Sequence, residues 1–387
     1  MGQGIAFIGF QVTAVAVPVQ MYAITHSSLW VGLLGVAALV PLVAFGLYGG
    51  AIADVVDRRR LYIGASCAAW VVTGALLLQA LLHANSGWLL LALMAAQSVA
   101  FAVSSPVRGA IVPRILDEPL VPAGNTLNFT MSNVGTIAGP LLAGVVLAQF
   151  GYAVAYALDA SLFSFGMYPA LRLPALPPLG GSGRAGVGAV MEGLRFIAGR
   201  PVLALSFALD IIANALAMPR ALFPQVAVDR FGGAGAAGWL YASIAIGAVG
   251  GGLASGWISR VRRQGLALVT AVVAWGVLVA VAGLARSLWL TVVLLAGAGA
   301  ADLVSAVYRQ TILQLAAPDR MRGRLQGAFI VVVTGGPRIG DLRAGATAAV
   351  AGVTASWVGG GIGCVVLALA LAAAAPALVR YRPQLTA

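Results

Sequence analysis

Twelve apolar runs, each longer than twenty residues and separated by short polar segments, constrain this chain more than any other feature. They fall at about 4–25, 29–53, 61–82, 87–112, 124–149, 152–172, 202–227, 236–258, 264–285, 287–312, 325–350 and 354–379. A helix needs ~20 apolar residues to cross the hydrocarbon core of a bilayer, and backbone polar groups in lipid must be satisfied within the segment. Only 9% of the 387 residues are charged while 61% are hydrophobic, against ~25% charged in an ordinary soluble domain. That is too little charge to solvate a globular surface, and the mean hydropathy of +0.98 agrees. The expected fold class is an all-α integral membrane protein with twelve transmembrane helices.

The residue inventory removes several function classes. All 23 basic residues are Arg, and no Lys occurs. A phosphate-binding loop and a pyridoxal Schiff base both require Lys, so no ATPase of its own powers this chain. His26 and His83 fall in turns with no Cys or carboxylate cluster beside them, which speaks against a metal site or a Ser-His-Asp arrangement. No cofactor and no enzymatic activity are expected. Cys67 and Cys364 lie in separate apolar runs and read as small hydrophobes. Gly181, Gly183 and Gly186 form a G-x-G-x-x-G string, but they follow Pro174, Pro177 and Pro178 with no strand before them. That segment reads as a flexible connector.

A net charge of +12 would suggest nucleic acid only if the arginines formed a patch on a soluble domain. They lie instead in short segments between spans, and no nucleic-acid partner is expected. Sixteen arginines sit after spans 2, 4, 6, 8 and 10 and in the tail, against Arg230 and Arg286 on the other side. The positive-inside rule then places both termini and the linker in the cytoplasm. The chain opens into its first span with no basic leader and no small-residue cleavage site, which speaks against a signal peptide and leaves room for a start upstream.

The chain also repeats itself at an offset of 201. Pro18 matches Pro219, Ser104 with Arg108 matches Ser305 with Arg309, and Gly139 and Gly144 match Gly340 and Gly345. Two homologous six-helix halves follow, 1–172 and 202–387, joined by a cytoplasmic linker at 173–201. Parallel repeats of this kind place a substrate site near the midplane between halves.

Gly50-Ala-Ile-Ala-Asp54-Val-Val-Asp57-Arg58-Arg59-Arg60 resembles the signature between helices 2 and 3 of the major facilitator superfamily. Val55 stands where that signature has a basic residue, and Asp57 where it has its second glycine. Asp159-Ala-Ser-Leu-Phe-Ser-Phe165, Glu192-Gly-Leu-Arg-Phe, Pro219-Arg-Ala-Leu-Phe-Pro224 and Pro318-Asp-Arg-Met-Arg-Gly-Arg324 are similar to strings of its enterobactin-type siderophore exporter branch. The resemblance implies alternating access driven by an ion gradient, export as the commoner direction, and Gly50, Asp54 and Arg58 as a cytoplasmic gate. An ordinary solvated loop is the alternative for those three. Gly135, Gly139, Pro140 and Gly144 are similar to the antiporter signature of superfamily exporters; equally, glycines four apart let helices pack closely.

Nine ionisable residues fall inside the spans: Arg108, Asp159, Asp210, Arg220, Asp302, Arg309, Arg338, Asp341 and Arg343. Each costs ~2.5–3.5 kcal/mol at a helix centre on insertion scales, so they must face a wet cavity or pair with one another. Asp302, Ser305 and Arg309 share one helical face, as do Gln97, Ser104 and Arg108, and Asp210 lies one turn from Asn214. A coupling carboxylate must bind and release a proton, which an adjacent Arg opposes. Asp210 has no intramembrane Arg within two turns in sequence, so it ranks first for proton coupling. Asp302 comes second, with Arg309 two turns away. Asp341, flanked by Arg338 and Arg343, is the most exposed to locking. Arg220 either binds an anionic substrate or pairs with Asp159. Arg108, Arg309, Arg220, Asp159, Asn214 and Asp341 are the candidate cavity residues.

The expected protein is therefore a secondary transporter in a prokaryotic cytoplasmic membrane. Its partners are a small organic substrate, protons and the lipid bilayer, and it is expected to be a monomer exporting a siderophore or a hydrophobic drug. An importer or uniporter of the same fold, or a non-transporting receptor, are the alternatives; paired polar faces in both halves count against the last.

Overall fold

The computed structural model describes residues 2–172, 174, 187–318 and 321–382, less the side chains of 46–55, 106, 108–110, 112–115, 187, 189–190, 322–324, 326–328 and 330. Among the described residues there is no strand. The helices are α1 (Gly2–Thr25), α2 (Ser28–Val55), α3 (Arg58–Leu81), α4 (Gly87–Ile115), α5 (Val121–Leu171), α6 (Val187–Ala198), α7 (Pro201–Ala217), α8 (Phe223–Phe231), α9 (Ala234–Leu253), α10 (Gln264–Leu284), α11 (Leu288–Ala316), α12 (Arg322–Ala351), α13 (Val353–Ala374) and α14 (Pro376–Val379).

Ten segments of the described residues are long and apolar enough to cross a membrane, and three local features reconcile these with the twelve-helix fold. The 51 residues of α5 would extend ~75 Å if straight, more than twice the hydrocarbon core. Gly151 breaks the element in two with φ 78° and ψ −172°, a region that essentially only glycine adopts, so α5 supplies spans 5 and 6. α12 carries Arg338, Asp341 and Arg343, which takes it off a purely apolar criterion. The seventh span is interrupted between α7 and α8: Met218 is extended (φ −80°, ψ 114°) ahead of Pro219, as the residue before a proline prefers. At the matching position Pro18 leaves α1 continuous.

The repeat offset of 201 holds at the helix ends. Shifted by that number, α4 coincides with α11, the first arm of α5 with α12, and its second arm with the start of α13. Gly352 (φ 86°) repeats the positive-φ break of Gly151.

The chain forms two compact units. The first holds Met1–His26, Leu33–Gly186 and Ala227–Ala242; the second holds Ser27–Gly32, Val187–Val226 and Ser243–Ala387. In the first, α1 packs along α5, while α3 packs against α4 and α5. Val12, Val15, Ala16, Val17, Val19 and Met21 are all buried, which makes α1 a core helix. In the second, α10 packs on α11 and α13, and α7 on α12 and α13. The pseudo-equivalent aromatics Tyr156 and Trp357 anchor the two cores. Tyr156 Oη donates to Gln20 Oε1 at 2.6 Å, and Gln20 exchanges hydrogen bonds with Gln79. Trp357 Nε1 donates to the Val279 carbonyl at 2.9 Å.

Part of the expected linker is structured. Residues 187–198 form α6, which packs on α12 and α7; the glycine string at 181–186 lies outside the described residues.

Candidate functional site

In the first unit, α1 presents Gly9 and Thr13 one turn apart, α3 presents Thr73, and the second arm of α5 carries Asp159, which is 1% exposed. Thr13 Oγ1 donates to Asp159 Oδ2 at 2.6 Å, and Thr73 Oγ1 approaches the same oxygen at 3.4 Å. Oδ1 is buried with no hydrogen-bond partner. Gly9 permits this packing, because a Cβ there would stand 2.6 Å from Oδ1. Tyr156 lies within the electrostatic reach of Asp159, and no cation among the described residues pairs with Asp159.

The second unit holds Asp210, Arg220, Asp302, Arg309, Arg338, Asp341 and Arg343. Arg309 Nη1 lies 2.6 Å from Asp210 Oδ1, with both side chains buried, and Asn214 Nδ2 donates to the same Oδ1 at 2.8 Å. No intramembrane arginine lies within two turns of Asp210 in sequence, but α11 brings Arg309 to it from 99 positions away. Asp302, which shares a helical face with Arg309, lies in the combined fields of Arg309 and Arg220. Asp341 lies close to Arg220 and Arg338 and accepts a hydrogen bond from the Ala221 backbone.

Arg343 does not join Asp341, because residues two apart on a helix point to different sides. Its guanidinium caps the C-terminal end of α7, donating to the carbonyls of Ala215 (3.2 Å) and Leu216, and also to Ser356 (3.2 Å). A cation there complements the helix dipole. Three carboxylates (Asp210, Asp302, Asp341) thus share one electrostatic cluster with three guanidiniums (Arg220, Arg309, Arg338), buried at Asp210 and Arg309 and exposed at Arg220, and their formal charges cancel.

The side chains of Gly50, Asp54 and Arg108 lie outside the described residues. Arg58 is half-buried, with a buried Nε that has no hydrogen-bond partner. The departure at Asp57 has a structural reason: its Oδ1 accepts from the Arg60 backbone N at 3.1 Å and caps α3, as N-cap aspartates do. Arg59 Nη2 donates to the Leu171 carbonyl at 2.8 Å, at the end of α5.

The span-5 glycines lie at helix contacts. A Cβ on Gly135 would strike Phe7, on Gly139 the Gln11 side chain, and on Gly144 the backbone of Gly235 and Gly238. Pro140 lies inside α5, where its carbonyl closely approaches Gly238.

Sequence reasoning missed a set of side chains in the first unit. Phe7 and Phe10 on α1, Phe101 on α4 and Phe163 on α5 converge around one small cavity that Gln97 and Ser104 also line. Of these, only the Gln97–Ser104 stripe is visible as a polar face in sequence.

Comparisons with known proteins agree with this architecture. Residues 2–382 match the family described as transmembrane secretion effector. The chain belongs to this family. Among curated proteins, the enterobactin exporter EntS of Citrobacter koseri is 30% identical over 385 residues, covering 98% of this chain and 91% of that protein. EntS of Escherichia coli is 30% identical over 396 residues, covering 99% and 93%. Among solved structures, the nucleoside transporter NupG superposes with a TM-score of 0.73 at 15% identity, covering 98% of each chain. A bacterial homologue of the lysosomal transporter Spinster gives 0.75 at 15% identity over 98% of this chain and 96% of that one. The D-xylose–proton symporter gives 0.74 at 11% identity over 96% and 95%. This member of the secretion effector family is thus a multi-pass membrane transporter of the major facilitator fold.

Proposed function

We propose that this chain exports a small organic molecule in exchange for protons by alternating access, with both termini on the cytoplasmic side. The observation that carries the reading is Asp159. An ionised carboxylate there is an uncompensated charge in a low-dielectric interior, whereas a protonated one carries none. Binding and release of a proton at this residue therefore changes the charge of the first unit, as a proton-coupled carrier requires. Asp210, by contrast, already has a counter-ion, and its loss would strand Arg309.

In this reading the halves 1–172 and 202–387 rock about the substrate while the segment 173–201 tethers them. Gly50, Asp54 and Arg58 close the cytoplasmic side, and the balanced network of Asp210, Asp302 and Asp341 with its arginines holds the second half together. The names of the EntS relatives support export as the direction and a catecholate siderophore as the first substrate to try, with a hydrophobic drug as the rival.

The test uses inside-out vesicles with an acidic lumen, challenged with enterobactin and with cationic dyes. Substrate-triggered proton release from the lumen, present in the wild type and absent from Asp159→Asn, is the expected result. Release that persists unchanged in Asp159→Asn would remove Asp159 from the coupling step, and silence from folded wild-type protein with every substrate would remove antiport.

A further inference from the structure

A buried carboxylate that exchanges a proton needs a route to water, and the polar side chains near Asp159 are laid out as one. Tyr152, Tyr156 and Asp159 fall at i, i+4 and i+7 on the second arm of α5, so they share one helical face. Thr13 and Gln20 share a face of α1 in the same way. Between the ends of this file lies a polar layer of three side chains from three helices. Tyr156 is 0% exposed, Gln20 4% and Gln79 of α3 5%. Tyr156 Oη and Gln79 Nε2 both donate to Gln20 Oε1, at 2.6 and 2.9 Å, and Gln20 Nε2 donates back to Gln79 Oε1 at 3.2 Å.

A cavity of about 530 Å³ adjoins the layer, lined by Gln20, His83, Asn85 and Tyr152 among others. Liquid water takes ~30 Å³ a molecule, and these four side chains supply the polar partners that enclosed water requires. No Asp, Glu or Arg is among the described residues lining it. Ala153 also lines the cavity, and Asp159 lies six residues further along the same arm, which is ~9 Å of helix. On the other side of Asp159, the small cavity at Phe163 begins one turn away. The carboxylate therefore stands between two voids, with Tyr156 on the side of the larger. Besides Asp159, the titratable groups along this route are His83, Tyr152 and Tyr156; Tyr22 of α1 turns instead to Asp229.

Fastening the helices does not require such a layer. Replacing a buried hydrogen-bonded set by apolar side chains of the same shape is nearly neutral, whereas polar files inside a membrane mark ion and proton paths. In the proposed orientation the cavity lies at the outer ends of α1, α3 and the first arm of α5, away from both termini.

We propose that Tyr156 relays protons between Asp159 and the outer side, with the cavity beside Gln20 as the aqueous entry. The Tyr156 hydroxyl accepts a proton from hydronium in the cavity as it releases its own toward Asp159. Hydronium becomes water, the phenol is neutral before and after, and the carboxylate becomes the acid. Gln20 and Gln79 hold the hydroxyl in place and are not protonated. The inference rests on the assignment of the exchanged proton to Asp159 and adds the path by which it arrives.

The test uses the full chain in proteoliposomes of uniform orientation. Outer-side pH is lowered abruptly while the carboxyl stretch of protonated Asp159, identified by its absence from Asp159→Asn, is followed by time-resolved infrared spectroscopy. Tyr156→Phe keeps the ring and removes the hydroxyl. It should slow the rise of the band about tenfold or more, since a positioned proton-transfer group contributes at least that much. The final amplitude should match wild type, because a relay changes the rate and not the equilibrium. Gln20→Met should slow the rise in the same sense, and it decides the matter should Tyr156→Phe fail to fold.

A rise time unchanged in both variants would make the layer a mere fastener, and a faster rise in Tyr156→Phe would make it a barrier. A wild-type band that responds faster to an inner-side pH drop would put the entry on the other side. Each result overturns the proposal. The two readings fail separately. Unchanged rise times, with gradient-driven accumulation lost in Asp159→Asn, remove the relay and keep the coupling role. Slowed rise times, with accumulation intact in Asp159→Asn, keep the relay and remove the coupling role.

Discussion

Two buried aspartates show what a neighbour does to a charge. Asp159 and Asp210 are about equally hidden, yet one is held by threonine hydroxyls and the other by a guanidinium. Removing one partner of a buried ion pair strands the other and costs about 3–5 kcal/mol. Asp210→Asn is therefore expected to lower the melting temperature in detergent sharply, with Asp210→Asn/Arg309→Gln recovering much of the loss; equal melting of single and double variants would show that the pair is not coupled. Asp159→Asn leaves no stranded cation and should melt close to wild type. The sequence marks both residues as costly, because any intramembrane charge is. It does not say which one is paired, since Arg309 reaches Asp210 from another helix and Thr13 and Thr73 reach Asp159 from two others. Thr73 in particular sits in an unremarkable apolar run, and nothing in its spacing announces a carboxylate partner.

At the scale of the helices, the breaks matter as much as the spans. Gly151 and Gly352 have positive φ and open space around them, so an added Cβ meets backbone strain and no neighbour. Gly151→Ala and Gly352→Ala should each destabilise by about 1–3 kcal/mol. Gly74→Ala, in a helix with equally open surroundings, should be neutral or slightly stabilising; the same loss at all three would refute the conformational argument. Gly139→Leu tests packing instead, because its side chain overlaps Gln11 on α1, and about 1–3 kcal/mol of destabilisation is expected from overpacking. Span existence was legible because twenty apolar residues permit little else. The ends were less so: α5 reverses at one glycine without a polar loop, and α6 forms where prolines and glycines upstream suggested only a connector.

For the whole chain, the repeat was the most legible feature, since an offset found from a few matched residues also aligns helix ends and both positive-φ glycines. Arginine placement makes a further prediction. Reporter fusions at the two termini should both report the cytoplasmic side, and one fused after Arg286 the opposite side; a terminus found outside would invalidate the orientation. The aromatic pocket was illegible for the reason that the Asp210 partner was. Phe7, Phe101 and Phe163 belong to three helices, and a single sequence shows periodicity along a helix but not which faces meet.

The central claim is that Asp159 carries the exchanged proton. Proteoliposomes holding wild type or Asp159→Asn separate coupling from substrate movement, because counterflow needs only substrate exchange whereas net uphill transport needs the proton gradient. The account predicts that Asp159→Asn keeps counterflow and loses gradient-driven accumulation. Accumulation at the wild-type level in Asp159→Asn, together with its loss in an Asp210→Asn protein that still shows counterflow, would contradict the account and return the coupling role to the paired carboxylate.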